Sequence, residues 1–223
     1  MHKLTLVIPA KNEKESLPKV LEELKDYNLE IIIVLEENDK ETIQATTNYK
    51  CKTIFQKNKG YGDALLHGIN NVQTKFFCIF NADGSFNPIE LREMYEKLNL
   101  NKADFIFASR YEKNCSSDDD TVITYIGNFI FTRIGNIFFN LKIDDILYTF
   151  VMGRSKSFKS LNLKYYDFRF CVELPIFAKK QSKNYINLGS YERKRFKGKK
   201  KVNEFKDGFL ILMGMISLFF KRY

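Results

Sequence analysis

The chain has 223 residues, 44% of them hydrophobic, which is enough for one domain with a sizeable core and too apolar for a disordered polypeptide. Lys and Arg outnumber Asp and Glu by 36 to 27, a net charge of +9, so an anionic partner is expected: nucleic acid, an anionic membrane or a phosphorylated substrate. The four cysteines (Cys51, Cys78, Cys115, Cys171) form no Cys-x-x-Cys pair and the only histidines are His2 and His67, so a zinc site is not expected and the thiols read as reduced.

A first strand is expected at residues 4–8, ending at Pro9, and its early start leaves no room for a signal peptide. Leu17, Val20, Leu21 and Leu24 then share one helical face. Glu30-Ile-Ile-Ile-Val-Leu35 is a continuous apolar run of the kind buried on both faces of a parallel sheet. Further elements are expected as strand 51–55, helix 61–72, strand 75–80, helix 89–98 and strand 104–108. This alternation predicts an α/β fold, a three-layer αβα sandwich with a mostly parallel central sheet and right-handed crossovers.

The second half reads differently. Residues 114–120 are polar and acidic and predict a mobile loop. Residues 121–141 are apolar but interrupted by Asn128, Arg133 and Asn136, which predicts one or two amphipathic helices rather than a membrane span. A helix at 165–180 and a strand at 184–188 follow, and then a run in which seven of the nine positions 193–201 are Lys or Arg. The last apolar segment, 209–220, lies between Lys206 and Lys221-Arg222. It is shorter than the ~20 residues needed to cross a bilayer. Phe209, Leu212, Ile216 and Phe220 follow helical spacing, so this helix is expected to lie on a membrane surface, with packing against the core as the alternative. Beside it, the basic run reads as membrane-facing, each residue adding about 1 kcal/mol near an anionic surface. The blander reading is a solvated or nonspecific phosphate-binding face. Nucleic acid is not expected as a partner, because the chain has no Trp and no recognised binding motif.

Three strand ends carry candidate chemistry. Pro9-Ala10-Lys-Asn12-Glu13 and Glu36-Glu37-Asn38-Asp39 sit at the carboxyl ends of neighbouring strands, where open α/β sheets place ligands. They could meet a nucleobase and ribose, or simply cap helices through Asn12 or Ser16. Asn58-Lys59-Gly60-Tyr-Gly62 precedes a helix, which suits either a phosphate contact or a plain glycine-rich turn, and it does not match P-loop spacing. Most informative is Asn81-Ala82-Asp83-Gly-Ser85, which puts a carboxylate at a strand end, where it can hold a hard divalent cation against a pyrophosphate.

In this order the motifs resemble the family-2 inverting glycosyltransferases of the GT-A fold. Ala108-Ser-Arg110-Tyr111 is similar to their G-S-R-[FY] segment. Ile126-Gly-Asn128, Phe131-Thr, Ile143-Asp-Asp145, Phe170-x-x-Glu173 and Tyr191-Glu-Arg193-x-Arg195-x-x-Gly198-x-x-Lys201 resemble the polyprenyl- or dolichyl-phosphate mannosyltransferase branch. The resemblance implies a metal-dependent hexosyltransferase that uses Mg²⁺ or Mn²⁺ and a GDP- or UDP-linked sugar. Its acceptor would be a polyprenyl phosphate, and its place the cytoplasmic, inner face of a membrane, as a peripheral protein. It divides the chain into a catalytic domain, 1–205, and a membrane-interface helix, 206–223. Within the first, 1–110 would be the nucleotide-sugar half and 111–205 the acceptor half.

By the same resemblance the donor site comprises Pro9, Ala10, Asn12, Glu13, Glu36, Lys59, Gly60, Asn81, Ala82, Asp83 and Arg110. Asp83, with Asn81, would bind the metal. Arg193, Arg195 and Lys201 would hold the acceptor phosphate, and Asp83, Asp145, Glu173 and Arg193 would be catalytic. An acceptor phosphate, with a second pKa of about 6, is already an anionic nucleophile, so charge neutralisation matters more than a histidine base. Two alternatives stand beside this reading. An enzyme of the same fold acting on a glycan hydroxyl would need Asp145 or Glu173 as base. The other is a catalytically silent nucleotide-binding or membrane-scaffold protein. Asn81 stands where the family has the first Asp of Asp-x-Asp, Thr149-Phe-Val151 where it has Gly and Arg, and Lys200 where it has Ser.

Overall fold

The computed structural model describes residues 1, 3–113, 115–198 and 200–221, so His2, Asn114, Lys199 of the basic run, Arg222 and Tyr223 lie outside the described residues. The first half alternates strand and helix, through β1 (Leu4–Pro9), α1 (Leu17–Leu24), β2 (Glu30–Leu35), α2 (Lys40–Thr46), β3 (Lys52–Phe55), α3 (Tyr61–Asn70), β4 (Phe76–Ile79), α4 (Glu90–Leu100) and β5 (Phe105–Ser109), as the sequence predicts except for α2, a helix not expected there. The second half adds β6 (Ser116–Ser117), α5 (Val122–Phe139), β7 (Val151–Arg154), α6 (Ser155–Ser160), α7 (Phe170–Lys180), β8 (Tyr185–Gly189), β9 (Tyr191–Glu192) and α8 (Glu204–Phe220). The main sheet has the order β3-β2-β1-β4-β7-β5-β8, and all its pairings are parallel except the two made by β7.

Period-two burial splits the strands between two cores. Leu4, Leu6 and Ile8 of β1 pack with α1 and α4 on one face, while Val7, Ile32 and Val34 meet α3 on the other. Each such side chain contributes about 1.5–3 kcal/mol when fully buried. α7 and the inner face of α8 complete the second core through Phe170, Ile176, Ile211, Met215 and Leu218.

Four other features depart from expectation. Strand β7 was not foreseen. Its Gly153 is needed because an added Cβ would lie 2.5 Å from the Phe105 ring and 2.9 Å from that of Phe77. Helix α7 begins at Phe170 rather than at 165, since the Glu173 carboxylate holds the Lys164 and Tyr165 N–H groups and keeps that segment out of the helix. The acidic segment expected to be mobile is pinned: Ser116 and Ser117 pair with Tyr191 and Glu192 as a small two-stranded sheet.

Helix α5 is the fourth, a single helix with its polarity reversed. Asn128, Thr132 and Asn136, spaced four apart, turn inward and bond the segment 143–147: Asn128 accepts the Leu147 N–H at 3.1 Å, Thr132 that of Ile146 at 3.2 Å and Asn136 that of Ile143 at 3.0 Å. Its apolar residues Ile123, Ile126, Phe129, Ile130 and Phe138 are left exposed. Among the described residues α5 is the one helix long and apolar enough to cross a membrane by length and composition.

Candidate active site

A cleft of about 510 Å³ opens at the carboxyl ends of β1, β2 and β4. Chain order reverses across the sheet between β1 and β4, and such switch points leave a crevice for ligands. Pro9, Ala10, Glu13, Glu36, Gly60, Asn81, Ala82, Asp83 and Arg110 line it, together with Arg195, Lys200 and Lys201 from the basic run.

Local structure fixes each wall. Gly60 has φ +120°, and a Cβ there would sit 2.2 Å from the Tyr166 carbonyl oxygen, so only glycine fits the turn. Asp63 ties that turn down, its Oδ2 accepting the N–H groups of Lys57 and Asn58 at 3.1 and 2.9 Å. Asp83 Oδ1 accepts the Ser85 N–H at 3.0 Å, and Asn81 donates to Ser85 Oγ at 3.2 Å. Glu13 is buried, and that burial raises its carboxyl above the ordinary range, against the lowering influence of the Ser16 hydroxyl and Lys201. Glu36 is paired with Lys11 at 2.7 Å on the rim.

The basic run lies along the acidic turn. Arg193 and Phe196 donate their backbone N–H groups to Ser85 and Asp83 carbonyls, both at 2.8 Å, and the Phe196 ring covers Gly84. This directs Arg195 into the cleft, where Nη1 is 3.5 Å from Asp83 Oδ2 while Nε and Nη2 bond Asp119 at 3.1 and 2.6 Å. Lys201 reaches Glu13 at 3.4 Å and Lys200 reaches Asp119 at 3.9 Å. Acid and base thus share one cleft.

Arg110 occupies the floor, nine-tenths buried. It bonds Asp145 through Nε at 2.7 Å and Nη2 at 3.0 Å, and Glu192 through Nη1 at 3.1 Å, and it stacks over Tyr148 at 4.6 Å. Burial opposes its charge, but the Asp145 and Glu192 carboxylates outweigh that and hold the guanidinium well above its usual pKa. Apolar side chains line the cleft too, Leu147, Phe168 and Val202 with Ile211 of α8, as do Thr124 and Asn128 of α5.

Five expected site residues are not on the cleft wall, for reasons visible in their contacts. Asn12, with φ +54°, is exposed and gives its backbone N–H to Asp39, the residue that caps α2. Lys59 points to solvent. Asp145 is wholly buried beneath Arg110 and also accepts from Asn128 at 2.6 Å. Glu173 is spent on the backbone N–H groups of Lys164 and Tyr165. Arg193 turns away to form a two-pronged pair with Glu23 of α1 at 3.0 and 2.9 Å and to bond the Phe86 carbonyl. Arg193, expected at the acceptor phosphate, and Asp145 and Glu173, expected at a reacting atom, thus stand off the cleft wall in this structure. Conversely, Asp119, Asp120 and Glu192 line the cleft without having been expected there. For the two aspartates the signal was an acidic triplet, Asp118-Asp119-Asp120, in a chain with a basic run to balance it.

Among the described residues no three His, Cys, Asp or Glu side chains are grouped to hold a metal ion unaided. Asp83 and Asn81 are oxygen donors at the end of β4 on the cleft wall, which Glu13, Asp119 and Asp120 also line.

Comparison with known proteins agrees with this architecture. The model of glycosyl transferase family 2 matches residues 5–161. Uncharacterized glycosyltransferases of Mycobacterium tuberculosis and Mycobacterium bovis are 26% identical over 95 residues, so the match covers 43% of this chain and 43% of each relative, less than half of its length. Among solved structures, glucosyl-3-phosphoglycerate synthase from Mycobacterium tuberculosis, in complex with Mn²⁺, uridine diphosphate and glucosyl-3-phosphoglycerate, superposes with a TM-score of 0.78 at 10% identity, covering 97% of this chain and 80% of that one. Mannosyl-3-phosphoglycerate synthase from Rubrobacter xylanophilus gives 0.71 at 14% identity, covering 97% and 72%. At such identities the likeness establishes the α/β fold with its mostly parallel sheet.

Proposed function

The chain belongs to glycosyl transferase family 2, and we propose that it transfers a sugar from a nucleoside diphosphate donor to a phosphate-bearing lipid of the polyprenyl phosphate type at a membrane surface. One observation carries this reading: the cleft that brings Asp83 and Arg195 together is also lined by apolar Leu147, Phe168, Val202 and Ile211, the last from α8, and α5 and α8 both expose apolar residues. A lipid phosphate suits both kinds of lining, its headgroup the arginine and its chain the apolar side chains.

The donor would lie over β1, β2 and β4, with Glu13 and Glu36 near base and ribose and the Gly60 turn near the diphosphate. Asp83 and Asn81 fit Mg²⁺ or Mn²⁺ as two oxygen donors, the remaining positions being left to donor oxygens and water. A bound cation would neutralise the leaving diphosphate. Glucosyl-3-phosphoglycerate synthase, of the same fold, is known in complexes with Mn²⁺ and with Mg²⁺. Arg195 orients the acceptor phosphate for in-line attack at the anomeric carbon, and Lys200 and Lys201 add positive charge. No proton need be removed from an ionised phosphate.

This favours a phosphate over a glycan hydroxyl, which needs a general base. Asp145 and Glu173, the expected candidates, are each saturated by donors. The test is to incubate the protein with labelled UDP- and GDP-sugars, Mn²⁺, and either a short polyprenyl phosphate, 3-phosphoglycerate or an oligosaccharide. Label on the polyprenyl phosphate is expected. Label on phosphoglycerate or oligosaccharide alone would sink the lipid reading.

A further inference from the structure

The acidic segment opposite the basic run has no assigned role, and its geometry toward Arg195 is specific. Asp119 takes two of the three guanidinium nitrogens, Nε at 3.1 Å and Nη2 at 2.6 Å, leaving Nη1 as the nitrogen nearest Asp83, at 3.5 Å. The pair is well shielded, with 17% and 12% of the two side chains exposed. Its placement is built in: Ser117 Oγ accepts the Asp119 N–H at 3.2 Å, and the pairing of Ser117 with Glu192 sets β6 beside β9, three residues before Arg195.

We infer that Asp119 is a positioning residue that holds Arg195 by two nitrogens, so that its third can pass from Asp83 to an acceptor phosphate when a cation engages Asp83. The inference rests on the donor half of the function proposed above. A guanidinium 3.5 Å from the only carboxylate of the Asn81–Asp83 pair competes with any divalent cation for it. Donor and cation therefore bind before acceptor, and Asp119 limits how far Arg195 travels between its two partners. Lys200, 3.9 Å from Asp119, is too distant to replace Arg195 there.

The test is Mn²⁺ binding to the full chain with UDP or GDP, read by the electron paramagnetic resonance of free Mn²⁺, which needs no turnover. Removing the competitor with Arg195→Gln is expected to tighten Mn²⁺ binding about three- to tenfold. Asp119→Asn frees Arg195 to sit on Asp83, so it should weaken Mn²⁺ binding by a similar factor. The double variant should follow Arg195→Gln. Arg195→Lys, which keeps the charge, should bind Mn²⁺ no more tightly than the wild type, and it serves if Asp119→Asn does not fold. Shifts of the same sign for Asp119→Asn and Arg195→Gln, or none for Arg195→Gln, overturn the inference and leave the donor reading standing. Failure of the wild type to bind Mn²⁺ with either nucleotide removes both.

Discussion

Arg110 and Asp145 show what a motif residue can be when its partners are counted. Asp145 accepts from the Arg110 side chain twice, from its backbone N–H at 3.2 Å and from Asn128, with no exposed surface of its own. Its removal would leave the buried guanidinium to Glu192 with Nε and Nη2 unpaired, and breaking such a pair costs about 3–5 kcal/mol. Asp145→Ala is therefore expected to lower the urea unfolding free energy by about that amount, whereas a carboxylate acting as a base would affect rate and leave stability alone. The buried carboxyls make a second prediction. Glu13, Glu90, Glu173 and Glu192 are all raised above the ordinary range, in each case chiefly by burial. An acid with a higher pKa folded than unfolded holds its proton longer in the native state. Between those two values the native state binds more protons, so stability falls as pH rises. The urea midpoint should decline from about pH 4.5 upward until these groups are ionised. Glu173→Gln should flatten that slope while keeping one acceptor for the loop it holds.

At the scale of elements, what was legible follows from how the signal is made. The strand ends at Pro9, Glu36 and Asn81 were readable because a continuous apolar run that stops in polar residues marks both a parallel strand and its ligand edge. Strand β7 was not, since four residues with a glycine inside look like a loop until the Phe77 and Phe105 rings that need the space are known. Arg195 and Arg193 are two residues apart in one motif, yet only the fold shows that one enters the cleft and the other clamps α1. The Gly60 turn was read equally well as a phosphate contact or a plain connection, and its positive φ beneath the Tyr166 carbonyl is where it can be tested. Gly60→Ala should cost about 1–3 kcal/mol of stability from backbone strain alone. Because the turn forms part of the cleft wall, calorimetry should also show weaker UDP or GDP binding. Unchanged nucleotide affinity would place the donor elsewhere.

For the whole molecule the telling contrast lies between α5 and an ordinary surface helix. A helix that directs Asn128, Thr132 and Asn136 to the protein and leaves Ile126 and Phe129 half exposed is inverted relative to a water-facing one. α8 packs beside it through Phe219, whose ring lies 5.7 Å from that of Phe138, and adds exposed Phe209, Ile216 and Phe220. The two helices thus form a continuous apolar face larger than scattered surface residues explain. The exposed Arg133, Lys206 and Lys221 stand on or at the ends of these helices, as a bilayer interface with anionic lipid favours. Thr124 and Asn128 of α5 and Ile211 of α8 also line the cleft, so the helices that carry this face belong to the cleft wall as well. The membrane role proposed here therefore predicts that the protein floats with anionic vesicles in a density gradient. Ile126→Asp on α5 and Phe209→Asp on α8 each place a charge where the hydrocarbon boundary should lie, and each is expected to reduce flotation by at least about tenfold. Neither residue lines the cleft, so Mn²⁺ and nucleotide binding should persist in both. Flotation that survives both substitutions would mean that this face meets something other than lipid, and the lipid acceptor would lose its support.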